Sequence, residues 1–266
     1  MKSALFSFFL FLAVQITAIA QFIQEAETVS SKKLTQSFLN RAMQYPVESL
    51  TNNTEGRVRV GFVVQTNGMC TDFHIIKGVN DALNREAVRL LKKILWKPAT
   101  ENGKPIASSA EMDIVFNKKQ YLRHKKNETL LQHNFQDISI DTSGQIFNFA
   151  LLTAQPYPLL EKTYRNLNHY INSNLKYPET AKTGGIEGSV KLGFVVEEDG
   201  IASNIHILES VGGGCDQEAI RILESLHWFP GIANEKRVRS QTTFDVVFKL
   251  NENRQHQIPN RQSGGL

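Results

Sequence analysis

The chain of 266 residues contains few of the residues that carry covalent or metal chemistry. Its only cysteines are Cys70 and Cys215, and no C-x-x-C motif is present. A disulfide-built scaffold or a structural zinc site needs more cysteines than this. The H-E-x-x-H, G-x-S-x-G, P-loop and G-x-G-x-x-G motifs are also missing. We therefore expect no enzymatic activity, no cofactor and no metal site.

The chain also has few prolines and no large excess of one charge. Eight prolines are scattered over the whole chain, so no long proline-rich spacer is present. Charged residues make up 21% of the chain, hydrophobic residues 41%, and the net charge is only +4. This composition is that of a protein with a buried core rather than a disordered one. The positive residues are spread along the chain, and neither a nucleic-acid partner nor a small-molecule substrate is predicted.

Long apolar runs are absent except at the N-terminus. Lys2 precedes an apolar stretch from Ala4 to Val14, and Ala18-Ile19-Ala20 places small residues before Gln21. This pattern predicts a signal peptide over residues 1–20 that is cleaved on export. The alternative is an uncleaved membrane anchor, because Ala4 to Ala20 spans 17 residues, the lower limit for crossing a bilayer.

An internal repeat is the strongest signal in the sequence. A shift of 132 residues places Tyr45-Pro46 on Tyr177-Pro178 and Trp96 on Trp228. From Tyr45 to Phe116, about 26 of the 72 aligned positions are identical without a gap. Such agreement indicates a tandem duplication of one fold.

Each copy predicts the element order α-β-β-α-β. A short amphipathic helix ends at the Tyr-Pro pair, and a strand with alternating apolar residues follows. Asn67-Gly68 and Asp199-Gly200 predict type I′ hairpin turns, which return the chain as a second strand. A second helix begins near Asn84 or Asp216, and the Trp-x-Pro sequence closes it. We expect an α+β fold in which a three-stranded antiparallel sheet carries both helices on one face.

The repeat and the sequence patterns divide the chain into segments. The last strands are predicted over Met112 to Asn117 and Phe244 to Lys249. The basic segment after the first copy is expected to be a solvated linker, with a possible hairpin around Ser143-Gly144. The predicted segments are the signal peptide (1–20), a divergent first domain (34–118), the linker (119–165), a second domain (166–250) and a disordered tail (251–266).

The motifs of the second copy resemble the C-terminal domain of the TonB family. They are Tyr177-Pro178, Glu187-Gly188, Asp199-Gly200, Gly212-Gly213-Gly214 and Trp228-x-Pro230. The arrangement is similar to tandem TonB-like periplasmic domains of outer-membrane bacteria that carry many TonB paralogues. The first copy is more divergent, since Ser49 and Asn80-Asp81-Ala82 replace the alanine and the glycine run of the second.

The resemblance implies a periplasmic protein-interaction module. In this family an extended segment of a TonB-dependent outer-membrane transporter, or of another envelope protein, adds as a strand to the sheet edge. The family pattern puts that edge at the last strand of each copy. The implied partner-binding residues are Met112, Asp113, Ile114, Val115 and Phe116, with Phe244, Asp245, Val246, Val247 and Phe248 in the second copy.

Two other functions remain open at this stage. An uncleaved N-terminal segment would make the chain an energy transducer for transport across the outer membrane. A structural protein that binds peptidoglycan, the envelope or itself as a strand-exchanged dimer is the other alternative. A disulfide between Cys70 and Cys215 is compatible with an oxidising compartment, but their spacing does not establish it. His74 and His206 are expected to be exposed strand residues and not metal ligands.

Overall fold

The computed structural model describes residues 23–128 and 138–250, without the side chains of residues 126–128. The predicted signal peptide and the predicted C-terminal tail lie outside the described residues. In the described ranges, no helix is both long enough and apolar enough to cross a membrane.

The first repeat and its lead-in occupy residues 23–116. Asn80 caps the helix that packs on the sheet, because its side chain accepts a hydrogen bond from Leu83 N at 2.8 Å. The elements are β1 (Ile23–Gln24), β2 (Glu27–Thr28), α1 (Lys32–Ala42), α2 (Val47–Thr51), β3 (Gly56–Val64), β4 (Cys70–Lys77), α3 (Asp81–Leu91), β5 (Trp96–Lys97), β6 (Ala99–Glu101), β7 (Lys104–Ile106) and β8 (Ser108–Phe116).

The connection and the second repeat follow the same plan. The connection contains α4 (Lys118–Glu128), β9 (Ile146–Phe147), a 3₁₀ turn (Phe149–Leu151) and β10 (Tyr157–Leu159). The repeat itself contains α5 (Leu167–Asn174), α6 (Glu179–Thr183), β11 (Gly188–Val196), β12 (Ala202–Glu209), α7 (Cys215–Glu224), β13 (His227–Phe229), β14 (Gly231–Ala233) and β15 (Lys236–Phe248).

Each repeat is built on an antiparallel sheet with its first long strand in the middle. The strand order is β4-β3-β8 in the first repeat and β12-β11-β15-β14 in the second. The registers are equivalent, since Val60 pairs with Met112 and Leu192 pairs with Phe244. The predicted last strands are present but longer, because β8 begins at Ser108 and β15 at Lys236.

The core of each repeat lies between the sheet and the helices. The inward side chains of β3 are Val58, Val60, Phe62 and Val64, none of them more than 1% exposed. They belong to one buried cluster with residues of α1 and α3, and β11 packs with α7 in the same way. The predicted α+β architecture is therefore confirmed. Its physical cause is the alternation of residues along the strand, because every second side chain points to the face that the helices cover.

The hairpin turns occur where the sequence predicts them, but the predicted type I′ geometry is wrong. Only the glycines have positive φ, +79° at Gly68 and +81° at Gly200. Gly68 N donates to Gln65 O at 2.9 Å, which makes a type I turn followed by a left-handed glycine. Two consecutive residues of positive φ occur instead at Asn102-Gly103 and Asn234-Glu235.

The ends of the second helices also differ from the prediction. In the first repeat the helix starts at Asp81 rather than near Asn84, whose side chain instead accepts a hydrogen bond from Val79 N at 3.1 Å. It ends at Leu91, so the Trp-x-Pro sequence does not close it. Trp96 lies in β5 and pairs with Thr28, and Trp228 lies in β13. Both indoles are largely buried, because the chain must turn back after the helix to bring them into the core.

The connection between the repeats is more structured than a solvated linker. Its basic part forms α4. Residues 138–154, which we call the strap, do not form a hairpin with themselves. Ile140 forms a parallel bridge with Arg237, and Ile146–Phe147 pairs in parallel with Arg239–Ser240 of β15. The strap is thus an extended segment added to the second sheet.

Candidate functional site: the open sheet edges

The last strand of the first repeat lies at the edge of its sheet. In the described residues, β8 pairs with β3 from Ser108 to Phe116 and has no strand on its other side. Ile114 and Phe116 are buried under the helices, each 1% exposed, whereas Val115 is 40% exposed on the opposite face. Main-chain donors and acceptors along such an edge are available to another extended segment.

The last strand of the second repeat is open over its C-terminal part only. Ser240 has Val196 on one side and Phe147 of the strap on the other. From Gln241 to Phe248, the partner found in the described part of the chain is β11 alone. Phe244, Val246 and Phe248 are buried, and Val247 is 51% exposed.

The direction of the backbone groups along β15 follows from the hairpin that precedes it. A two-residue turn joins β14 to β15, so Ala233 and Lys236 form its closing hydrogen-bonded pair. Arg237 bonds in the opposite direction, to strap residues 139 and 141. Because bonding alternates along an antiparallel strand, every second residue from Arg237 onward faces the strap side, away from β11. The groups directed to the open side belong to Gln241, Thr243, Asp245 and Val247, and by the equivalent register to Ser109, Glu111, Asp113 and Val115.

The motif residues hold the end of each edge strand in place. Tyr45 Oη donates to Thr54 O at 2.6 Å, and its ring meets Phe116 edge-on at 5.7 Å. Glu55 accepts a hydrogen bond from Lys118 N, just beyond the strand. Burial, and then the charge of Glu55, raises the pKa of Tyr45, so its hydroxyl remains a donor.

The second repeat repeats this support around the end of β15. Tyr177 Oη donates to Ile186 O at 2.6 Å, and its ring contacts Phe248 edge-on at 5.6 Å. Glu187 accepts from Leu250 N. Pro46 and Pro178 precede the short helices α2 and α6 as their N-caps, and Gly188 packs beneath Val211. These motif residues therefore hold the end of each edge strand in position, and they are not part of the strand itself.

The two edges differ in charge at one equivalent position. Asp113 is held by Arg57 at 3.0 Å and by Arg59 at 2.8 Å. The hydrogen bond from Arg59 is the largest cause that lowers the pKa of Asp113, so the carboxylate is firmly ionised. Asp245 takes the same place in the second repeat, is exposed, and has no ion pair or hydrogen bond with any described residue.

A buried junction between the repeats was missed by the sequence analysis. Lys93 of the first repeat lies 2.9 Å from Glu197 and 2.5 Å from Glu198 of the second. Arg239 also binds Glu197 at 3.0 Å and donates to Lys93 O at 2.7 Å. Asn204 completes the contact by accepting from Leu95 N at 2.7 Å.

The repeat alignment does not single out this junction. Glu197, Asn204 and Arg239 align with Gln65, Asp72 and Ala107. Most aligned positions differ between the copies, so these three differences do not reveal a contact. The junction joins the repeats through buried charges and leaves the C-terminal parts of both edges outside the contact.

The remaining candidate residues have structural explanations. His74 packs over Gly61, and its Nδ1 is 3.0 Å from Asp72 O. Gly213 and Gly214 allow close packing against Ala181 and Pro178. Cys70 and Cys215 are free thiols. Among the residues described, no three His, Cys, Asp or Glu side chains converge to hold a metal ion.

Comparisons with known proteins show which family the sequence matches. The family model described as "Gram-negative bacterial TonB protein C-terminal" matches residues 41–117 and 173–250. Protein TonB of Pseudomonas aeruginosa is 34% identical over 79 residues, which are 29% of this chain and 23% of that protein. The chain thus spans less than a quarter of the length of this relative.

Two solved structures of TonB C-terminal domains are also similar. The solution NMR structure from Pseudomonas aeruginosa is 26% identical, with a TM-score of 0.29, and the match covers 41% of this chain and 99% of that one. The solution NMR structure from Helicobacter pylori is 23% identical, with a TM-score of 0.26, and covers 34% of this chain and 98% of that one.

Proposed function

The chain belongs to the family of Gram-negative bacterial TonB C-terminal domains, and from that premise we propose that it binds extended peptide segments by strand addition. The family is a non-catalytic domain involved in TonB-dependent transport. The partner proposed here is a TonB-dependent outer-membrane transporter or another envelope protein, met in the periplasm. Binding occurs at β8, at the part of β15 from Gln241 to Phe248, or at both.

One observation supports this proposal above the others. The C-terminal part of each last strand is paired on one side only within the described residues. Four residues of each strand direct backbone groups to that open side. Added main-chain hydrogen bonds are a general source of affinity for extended peptides, while the alternating side chains supply specificity.

The strap provides an example of such binding inside the molecule. Ile146–Phe147 is an extended segment that has already added to β15, next to the proposed site. The same strand therefore accepts a neighbour on this side without a change in its pairing with β11.

The test is peptide binding to variants that lose one donor on the open side. Overlapping synthetic peptides that cover the TonB boxes of outer-membrane transporters are labelled, and their binding is measured by fluorescence anisotropy. Val247→Pro removes an N–H that faces the open side, and proline is tolerated at such edge positions. Val247→Ala shortens the same half-exposed side chain but keeps the donor, which makes it the matched control.

We expect Val247→Pro to weaken binding at the second repeat about tenfold, from one lost hydrogen bond and the bulk of the ring. Val115→Pro and Val115→Ala form the equivalent pair for the first repeat. Circular dichroism checks that each variant is folded. Peptide affinity that is unchanged in the folded double variant Val115→Pro/Val247→Pro would contradict strand addition at these edges.

The location of the protein is tested separately. N-terminal sequencing of the protein isolated from the envelope distinguishes a chain that starts at Gln21 from one that keeps residues 1–20. A chain that starts at Gln21 supports the exported module, whereas a retained N-terminus supports the energy-transducing alternative.

A further inference from the structure

A row of alternating charges crosses the outer face of the second sheet. Lys191 on β11 pairs with Glu209 on β12 and with Asp245 on β15. The Lys191 ammonium lies 3.7 Å from the Glu209 carboxylate and makes no ion pair with Asp245. The row therefore reads negative, positive, negative, and it ends at the open edge.

Asp245 is the last member of this row, and within the described residues no strand lies beside it on the open side of β15. It is exposed, and it forms no ion pair or hydrogen bond within the described ranges. A strand added to β15 would place one side chain next to Asp245 on the same face, because facing residues of paired strands share a face. An opposite charge at that place is favourable, and a like charge is unfavourable.

The equivalent row of the first repeat ends differently. Arg59 pairs with Lys77 on one side and with Asp113 on the other. Arg57 and Arg59 both bind the Asp113 carboxylate, at distances of 2.8 to 3.1 Å. Asp113 is thus already neutralised by two guanidinium groups, and a third cation beside it gains little.

The strap limits the part of β15 to which another strand can be added. Phe147 occupies the place beside Ser240, so an added strand is confined to the eight residues from Gln241 to Phe248. Asp245 lies inside this stretch and not at its end. The residue that faces it therefore belongs to the paired middle of the added strand, where pairing is firmer than at a frayed end.

We infer that Asp245 is a specificity-determining residue of the second repeat. It selects extended segments that carry a lysine or an arginine opposite it, while the first repeat has no such preference. This inference rests on the proposed function, because it assumes that a strand adds to the edge. The two repeats then bind different segments, although their folds and registers are the same.

The test uses the tightest peptide of the panel with a single lysine moved along it. The full chain carries Val115→Pro, so that binding at the second repeat is measured alone. We expect one lysine position to strengthen binding about two- to fivefold over glutamine, and glutamate at the same position to weaken it by a similar factor. The preference should shrink as the salt concentration rises, because the pair is exposed.

Asp245→Asn is the decisive variant, because it removes the charge and keeps the size of the side chain. It should abolish the preference for lysine, so that the lysine and glutamine peptides bind with equal affinity. The matched control is the first repeat, measured in the full chain with Val247→Pro, where lysine and glutamine peptides should bind equally.

The outcomes separate this inference from the proposed function. A lysine preference that persists in Asp245→Asn, or that also occurs at the first repeat, overturns the inference. Binding that is sensitive to Val247→Pro but shows no charge preference overturns the inference and leaves strand addition standing. If no peptide of the panel binds in a Val247→Pro-sensitive way, both are refuted for the second repeat.

Discussion

Lys93 holds the two repeats together through charges that are almost completely removed from water. Glu197 is 0% exposed, and the side chains of Arg239 and Lys93 are 4% and 12% exposed. With Glu198, the cluster contains two positive and two negative groups and is neutral as a whole. Lys93→Met keeps most of the side-chain length but leaves one buried negative charge without compensation.

The expected loss of stability follows from this burial. Removing one partner of a buried ion pair costs about 3 to 5 kcal/mol, since the remaining charge is left unsatisfied. Arg239 still binds Glu197 through two nitrogens, each at 3.0 Å. We therefore expect Lys93→Met to lower the free energy of unfolding by about 3 kcal/mol, the lower end of that range.

The matched control is Lys97→Met, four residues further along. Lys97 pairs with Glu27 at 2.9 Å, but the two side chains are 58% and 55% exposed. Such a surface pair contributes at most about 1 kcal/mol. Urea unfolding followed by tryptophan fluorescence and circular dichroism measures both variants. Because Lys93 joins different repeats, its loss should also separate one unfolding transition into two.

The pH dependence gives a second readout of the same cluster. Burial alone would raise the pKa of Glu197, but Arg239, Lys93 and hydrogen bonds outweigh it, so the net pKa is lowered. This contribution is complete above the ordinary pKa of 4.5 and is lost as the pH falls through the lower folded value. Burial likewise opposes the charge of Lys93, yet Glu197, Asp199 and Glu198 raise its pKa overall.

The contribution of Lys93 is therefore complete below its ordinary pKa of 10.5 and is lost as the pH rises through the higher folded value. The stability difference between the wild type and Lys93→Met should be largest between these two limits and should shrink in acid. A Lys93→Met variant that loses no more stability than Lys97→Met, at any pH in this window, would refute the reasoning.

Two further predictions concern the turns and the thiols. Gly68 and Gly103 have nearly the same φ, +79° and +77°, but a Cβ at Gly68 would lie 2.3 Å from Trp96 O, whereas Gly103 faces open space. Gly103→Ala should cost about 1 kcal/mol and Gly68→Ala at least about 2 kcal/mol in denaturant unfolding, and equal costs would contradict the packing argument. Burial raises the pKa of Cys70 to about 11 and also raises that of Cys215. Both thiols should react with Ellman's reagent at pH 8 only after unfolding, so rapid reaction of the folded protein would show that the thiols are accessible.

Local patterns in the sequence were sufficient to predict the units of this fold. The alternation from Val58 to Val64 requires a strand with one buried face, and the 132-residue repeat requires the second copy to fold in the same way. The family assignment followed from motifs that recur at fixed spacing, and the comparisons confirmed it. The edge residues named from that resemblance remain a proposal, to be tested by peptide binding.

Other features depend on residues that are distant in the sequence, which local periodicity does not relate. Lys93 meets Glu197 across 104 residues, and its carbonyl oxygen accepts from Arg239 across 146. The strap pairs with β15 instead of with itself, because the edge beside Arg239 and Ser240 satisfies its backbone. Asp113 and Asp245 align and look equivalent in the sequence, yet only Asp113 has two arginines on the strand beside it. Local sequence patterns are therefore enough to specify the two repeated units. How the units are joined and how their edges differ depends on the tertiary structure, because long-range packing brings those charges together or keeps them apart.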